Sequence, residues 1–377
     1  MTDAALPRSL RLTDHRPPPL RMTDETKAFF FDLLDTPSPT GFETPGQRVW
    51  ADYVRPHVDR VEADDYGTAW ATLEGTAADG PRLMLDAHVD EIGYMVRHIT
   101  DDGFIHVARI GGSDRAIARG LRVRVLGDDG PVTGVVGNTA IHIRDTKNEK
   151  VPEVHELFVD VGAEDKDGVH ARGIRVGHPM VFDVAPTELS GTRITARAID
   201  NRLGGFIIAQ VLEHLSDAPP AWTVQGANSV QEEIGGHGAQ MIAHRLNPDA
   251  AVAFDVTHAT DSPGIDSTKH GDVKMGEGPA ITHGTSTHPQ VVQRLMQVAE
   301  QEDIPLQHEP SDRRTGTDTD SIFKTRSGVP SGLVSVPLRY MHSTVEVVDT
   351  DDIEQCVQLL TAFARSLDAD DAFGVSL

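Results

Sequence analysis

Apolar side chains recur at helical spacing from Asp24 to about Arg55. Phe29, Phe30, Leu33 and Leu34 make one stripe, and Val49, Trp50 and Val54 make a second after the break at Pro37-Ser38-Pro39-Thr40-Gly41. Two helices therefore precede the first strand, read at Arg82-Leu83-Met84-Leu85-Asp86-Ala87, a short β-prone run that stops at polar His88, Asp90 and Glu91. Texture then changes. Between about Met95 and Glu188 the apolar segments are short, as at Phe104 to Val107, Leu121 to Val125 and Leu157 to Val161. Gly-rich and Asp-rich turns separate them and no convincing helix intervenes, which predicts a small all-β barrel or sandwich. Downstream, Leu203, Phe206, Ile207, Val211, Leu212 and Leu215 return to helical spacing after Asp200-Asn201. Strands are expected at Trp222 to Val230, Ala251 to Phe254 and Leu333 to Val336, and a closing helix from Asp351 to about Leu367 with Thr350 or Asp351 as its cap.

The simplest architecture is α/β: residues 22–94 and 189–377 form one domain, and an all-β insert at 95–188 interrupts it. A length of 377 residues agrees with about two domains. With 34 basic against 58 acidic side chains the net charge is −24, a field that repels phosphate backbones, and no basic patch offsets it, so nucleic acid is not an expected partner. At 38% hydrophobic the chain can bury a proper core. No apolar stretch approaches the roughly 20 residues of a membrane helix, so a soluble protein with no membrane partner is expected. One thiol, Cys356, makes no internal disulfide; it fits a reducing, cytoplasmic location and reads as a buried apolar residue of the last helix. Residues 1–21 end in Arg16-Pro17-Pro18-Pro19-Leu20-Arg21, lack a signal-peptide core and read as a disordered tail, with Met22 as the start of the folded protein and a candidate natural start.

Five polar sites fall at or just beyond predicted strand ends, where ligand groups gather in open α/β sheets: His88-Val89-Asp90, Asp200-Asn201, Glu232-Glu233, Asp255 and His342. Alone, a His is usually a surface or satisfied core residue and an Asp after a strand a cap or turn. As a set, two imidazoles and several carboxylates suit Zn or related divalent ions rather than a soft thiolate site. Two ions about 3.5 to 4 Å apart need a bridging anion. Asp200 is the candidate bridge, with His88 and Asp255 at one ion and Glu233 and His342 at the other. Asp90 lies two residues after His88, on the same side of an extended segment, and can accept the imidazole N–H. Glu232 and Glu233 are adjacent and diverge, so Glu233 can bind metal while Glu232 takes a proton from water.

The strings Asp86-Ala87-His88-Val89-Asp90-Glu91-Ile92-Gly93, Ala198-Ile199-Asp200-Asn201-Arg202, Gln231-Glu232-Glu233-Ile234-Gly235, Phe254-Asp255-Val256-Thr257 and Arg339-Tyr340-Met341-His342-Ser343 follow one another in family order. In these the chain resembles the dinuclear metallo-aminopeptidases that include glutamyl aminopeptidase and the tetrahedral, TET-type enzymes, from about Met22 onward. The resemblance implies a zinc-exopeptidase-like catalytic domain, a mixed sheet flanked by helices, interrupted by a PDZ-like or barrel domain used in dimer contacts. It implies the ligand sets His88, Asp200, Asp255 and Asp200, Glu233, His342, with Glu232 as general base. It also implies two divalent ions per subunit, Zn foremost with Co or Mn tolerated, short peptide substrates, and a homo-oligomer built from dimers, commonly a dodecamer.

Rival readings stay open. Related dinuclear folds include carboxypeptidases and deacylases. Glycoside hydrolysis also uses two carboxylates, but needs no metal and wants them about 5 to 9.5 Å apart across a sugar; aromatics at 5% give stacking no support. A noncatalytic relic would not need Glu232. Gly316-Thr317-Asp318 resembles a family loop near the active site, His237 and His258 read as surface or hydrogen-bonded residues, and neither a phosphate-cradling loop nor a dinucleotide fingerprint is present.

Overall fold

A computed structural model describes residues 21–145, 147 and 149–375. The expected tail at 1–21 lies, except for Arg21, outside the described residues. Helix α1 spans Asp24–Asp35 and α2 spans Thr44–Val54. Thr23 caps α1 reciprocally with Thr26, each hydroxyl accepting the other's backbone N–H, and Asp24 and Glu25 favour the positive end of the helix dipole. Phe29, Phe30, Leu33 and Leu34 are all buried.

Two strands come before Arg82: β1, Arg60–Ala63, and β2, Ala69–Leu73, an antiparallel pair. The expectation that Arg82 opens the first strand is corrected. β1 is a four-residue, largely exposed edge carrying Arg60 and Glu62, and β2 is a fully buried run without alternation, so neither shows a period-2 pattern. β3, Arg82–His88, follows.

A closed barrel comes next: β4 Gly93–Ile99, β5 Phe104–Ile110, β6 Arg122–Gly127, β7 Gly130–Val136, β8 Phe158–Asp160 and β9 Pro179–Phe182, in the order β4-β5-β8-β7-β6-β9. Val96, Ile105, Val123, Val125, Val159 and Met180 fill its core. The first barrel strand opens at Gly93, ahead of Met95, and a short helix α3, Lys166–His170, interrupts the expected helix-free stretch because Asp165 caps it.

Beyond the barrel run β10 Thr187–Glu188, β11 Arg193–Ala196, α4 Ile199–Ser216, β12 Thr223–Ser229, α5 His237–Leu246, β13 Ala250–His258 and α6 Ser267–His270. Then come β14 Ala280–Gly284, α7 Pro289–Glu302, β15 Gln307–Ser311, α8 Thr319–Ile322, β16 Ser331–Leu338, β17 Glu346–Asp349 and α9 Thr350–Arg365. The cap of α9 is Asp349, whose carboxylate accepts the Asp351 N–H at 3.1 Å, not Thr350 or Asp351 as expected. Thr350 already belongs to the helix, and the short Asp349 side chain reaches the free N–H two residues on.

The main sheet is mixed, in the order β1-β2-β12-β3-β13-β16-β14-β15, with β12, β3, β13 and β16 parallel at its centre. Side chains on these strands alternate between two apolar layers. Leu83, Leu85, Val252, Phe254, Val334 and Val336 face the larger core with α1, α2, α4, α7 and α9, whereas Met84, Ala251, Ala253 and Leu333 face α5 and α8. Burial on both faces explains why these strands read as continuous apolar runs. Their shared direction brings His88, Ser229 and Asp255–His258 to one edge, the carboxyl ends of the parallel strands.

Candidate metal centre

His88 closes β3 and is buried. Its Nδ1 lies 3.4 Å from Asp90 Oδ1 and 3.1 Å from the Asp90 backbone oxygen, so side chain and main chain together hold the ring. The other nitrogen, Nε2, is left 3.3 Å from Asp200 Oδ1 and 3.9 Å from Asp255 Oδ1. Asp200 sits in the irregular first turn of α4, entered through left-handed Ala198 (φ 58°), and joined to Asn201 by a cis peptide. Asn201 ties that turn to β13, donating to the Phe254 carbonyl at 2.8 Å and accepting from Gly204 N at 3.0 Å. The second Asp200 oxygen, Oδ2, lies 3.3 Å from His342 Nε2, and Glu233 Oε1 is 3.5 Å from that same nitrogen. In each of the groups His88, Asp200, Asp255 and Asp200, Glu233, His342, the donor atoms lie within 4.8 Å of one another. The structure thus brings together all five residues expected as ligands, with Asp200 common to both groups.

Of the supporting residues, Asp90 alone was expected from the sequence, as the partner of His88. Glu346 accepts the backbone N–H of Asp200 at 3.2 Å and that of His342 at 2.9 Å, spacing the two donors with one carboxylate. Asp90, fully buried, accepts from Glu232 N at 3.0 Å, Glu233 N at 3.3 Å and Thr40 Oγ1 at 2.7 Å, so it orients the adjacent glutamates as well as His88. Glu91 is buried between Arg197 and Arg202 and also accepts from Ser38 N at 2.9 Å. Arg202 in turn donates to the carbonyls of Val89 at 2.7 Å and Thr36 at 2.6 Å, binding α1, α4 and the segment after His88 into one block. From the loop after β5, Gly112 packs so close to His342 that a Cβ there would lie 2.3 Å from Nδ1.

Charge accumulates in the cluster. Burial, and then the neighbouring Asp200 charge, pushes Glu233 and Asp255 well above the ordinary carboxylate range. Glu232 is pushed up to about 7, chiefly by burial, with Asp200 and Asp90 adding to it and His88 opposing. Asp200 goes the other way: burial resists, yet hydrogen bonds from His342 and His88 hold it well below the usual range. A surplus of buried carboxylate oxygens beside two imidazoles whose outer nitrogens are already held fits divalent cations, which replace the missing positive charge. Glu232 belongs to neither donor group, and its Oε2 stands 3.8 Å from His88 Nε2.

These groups floor a cleft of about 540 Å³. Gly316 and Thr317 line it, whereas Asp318 of the same turn is buried beneath, where burial first and then the nearby Asp86 carboxyl raise its cost of ionising. His258 is exposed on the cleft wall, His237 is exposed outside it, and Cys356 is buried in α9.

The sequence profile of the M42 glutamyl aminopeptidase family matches residues 67–359. The chain belongs to that family. Membership makes this M42 protein a metal-dependent aminopeptidase, a hydrolase. Lysyl aminopeptidase of Pyrococcus furiosus is 32% identical over 340 residues, covering 89% of this chain and 95% of the relative. An aminopeptidase of the archaeon Desulfurococcus kamchatkensis superposes with a TM-score of 0.85 at 36% identity, covering 91% of this chain and 95% of the other. The TET1 peptidase of Pyrococcus horikoshii, which can assemble into a tetrahedron or a large octahedral shell, superposes at 0.80 with 28% identity over 91% of this chain and all of its own. The mixed α/β fold of the M42 chain, with its small closed barrel, is the fold of these neighbours. Among the described residues no helix is long and apolar enough to cross a membrane.

Proposed function

We propose that this M42 aminopeptidase removes N-terminal residues from short peptides using a pair of divalent ions, Zn foremost with Co or Mn tolerated. His88, Asp200 and Asp255 would hold one, and Asp200, Glu233 and His342 the other. The observation that carries the reading is the Asp200 carboxylate, each of whose oxygens lies 3.3 Å from a different imidazole. When bound there, the ions would acidify an attacking water and polarise the scissile carbonyl. Glu232 holds the proton taken from water and returns it to the departing amine. Its position outside both donor groups leaves it free, and a carboxylate can serve as that base because coordination to the ions would acidify the water. Asp90 keeps the glutamate pair and His88 in register through the backbone N–H bonds it accepts.

Assembly follows by likeness to the TET1 peptidase: a homo-oligomer, with dimers as building blocks and a dodecamer as the expected size, and with the insert at 95–188 as the contact domain. A reducing cytoplasm suits the single buried thiol. The neighbouring reading, a carboxypeptidase or deacylase on the same ligands, predicts cleavage of N-terminally blocked peptides. Glu232→Gln tests the mechanism. Metal content by elemental analysis should stay at the wild-type value while kcat on a free N-terminal peptide falls about 10²- to 10⁴-fold. Unchanged turnover in that variant, or wild-type preference for blocked peptides, overturns the proposal.

A further inference from the structure

We infer that His283 and His308 form a surface metal site, separate from the cluster around Asp200, that takes one Ni(II) or Cu(II) ion across the outer edge of the main sheet. The inference goes beyond the aminopeptidase reading and does not rest on it. β14 and β15 are parallel neighbours, with Ile281 opposite His308 and His283 opposite Pro310, and β15 is the last strand of the sheet. Because β14 runs antiparallel to β16, its His283 end points to the edge of the sheet opposite the one that carries His88 and Asp255. Both rings are exposed, with centroids 5.1 Å apart. His283 Nε2 stands 2.9 Å from His308 Nδ1, whereas His283 Nδ1 and His308 Nε2 make no hydrogen bond with a described residue. Each ring can therefore keep its proton on the outer nitrogen and turn a lone pair toward the other ring. Burial first, and then the charge of His308, lower the His283 pKa below its ordinary 6.5, which keeps that ring neutral and able to coordinate at about pH 7.

The backbone beside the pair is tight. A Cβ on Gly284 would lie 2.2 Å from the Ser311 carbonyl oxygen, and Thr285 donates through N to Ser311 O and through Oγ1 to Arg313 O, both at 3.2 Å. The fold thus pins the two strands together just beyond the rings. Imidazole nitrogens sit about 2.0 to 2.1 Å from a first-row divalent ion, so two of them at right angles stand about 2.9 Å apart, against about 3.3 Å at the tetrahedral angle. The observed 2.9 Å matches the right-angle case, which Ni(II) and Cu(II) favour in sites of nitrogen and oxygen ligands, with water completing the set. A second histidine pair, His98 and His106 on β4 and β5, lacks this arrangement. Its rings stack with centroids 6.4 Å apart, and His106 Nδ1 is 3.1 Å from the His155 carbonyl oxygen instead. An ion held by His283 and His308 would tie β15, which is paired on one side only, to β14 by a bond other than the ladder.

The test uses full-length protein saturated with Zn(II) and titrated with Cu(II) as the probe. One Cu(II) per chain should bind with Zn content unchanged, and its electron paramagnetic resonance spectrum should be tetragonal with two coupled nitrogens. Amide exchange in β15 should slow once it is bound. His283→Gln and His308→Gln should each weaken the Kd for Cu(II) by about 10²-fold, the lower end of what pairing two ligands on one frame adds, and leave one coupled nitrogen. His98→Gln should change neither quantity. Wild-type affinity retained in both variants, or a spectrum without the nitrogen pair, overturns the inference and leaves the 2.9 Å contact as a hydrogen bond alone. Zn released one for one as Cu(II) enters overturns it too, by placing the copper in the Asp200 cluster.

Discussion

Replacing Asp90 by Asn probes the support beneath the metal centre without changing its volume. The carboxylate is fully buried; burial pushes its pKa up, but His88, Thr40 and the Glu232 N–H outweigh that and hold it below the usual range. It accepts from four donors: His88 Nδ1 at 3.4 Å, Thr40 Oγ1 at 2.7 Å, Glu232 N at 3.0 Å and Glu233 N at 3.3 Å. An amide that keeps its oxygen toward His88 and Glu232 turns its NH2 toward Thr40, which can rotate to accept, and toward the Glu233 N–H, which cannot. One buried donor is then left unpaired, at a cost of about 1–3 kcal/mol. Loss of an imidazole orienter usually weakens metal binding about 10- to 100-fold, or roughly 1.4 to 2.7 kcal/mol. Here the Asp90 backbone oxygen, 3.1 Å from the same nitrogen, survives the substitution, so the expected loss lies near the tenfold end. Urea unfolding of metal-stripped protein measures the first quantity, and competition with a chromophoric chelator the second. Metal affinity within twofold of wild type together with unchanged stability would refute the orienting role.

The elements legible in the sequence were those whose signal is local. The stripe of α4 is read from Leu203 to Leu215 because one face repeats every turn, and the parallel core strands from their unbroken apolar runs. The donor residues stand in short strings at strand ends, so their grouping follows once strand direction is known. What escaped depends on long-range encounter. Glu91 meets Arg197 and Arg202 across more than a hundred residues, and three charges packed in a core contradict the rule that charged residues face water. Glu346 looks like an ordinary strand residue until β17 places it behind Asp200 and His342. Gly112 belongs by sequence to the inserted barrel and becomes meaningful only when that loop docks on His342 from the other part of the chain.

Two further perturbations follow from those long-range contacts. Gly112→Ala places a Cβ where it would lie 2.3 Å from His342 Nδ1, so the ring must leave its station 3.3 Å from Asp200 and 3.5 Å from Glu233. On the proposed two-ion centre, elemental analysis should then find the metal content falling from two ions toward one with far-UV dichroism unchanged; two ions held at wild-type affinity would refute it. Glu91→Gln strands two buried guanidinium groups and should cost about 3–5 kcal/mol of unfolding free energy near neutral pH. Its pH dependence gives the sharper check. Burial raises the Glu91 pKa, but Arg197 first and Arg202 next more than cancel that and leave it below its ordinary 4.5. A carboxyl depressed by folding contributes stability that is complete above its unfolded value and lost as pH falls through the folded one. Wild-type stability should therefore decline below about pH 4.5 more steeply than that of Glu91→Gln, which has no proton to gain there. Parallel acid limbs in the two proteins would mean that the arginine pair does not hold Glu91 ionised, and that Arg202 keeps its place through its carbonyl contacts alone.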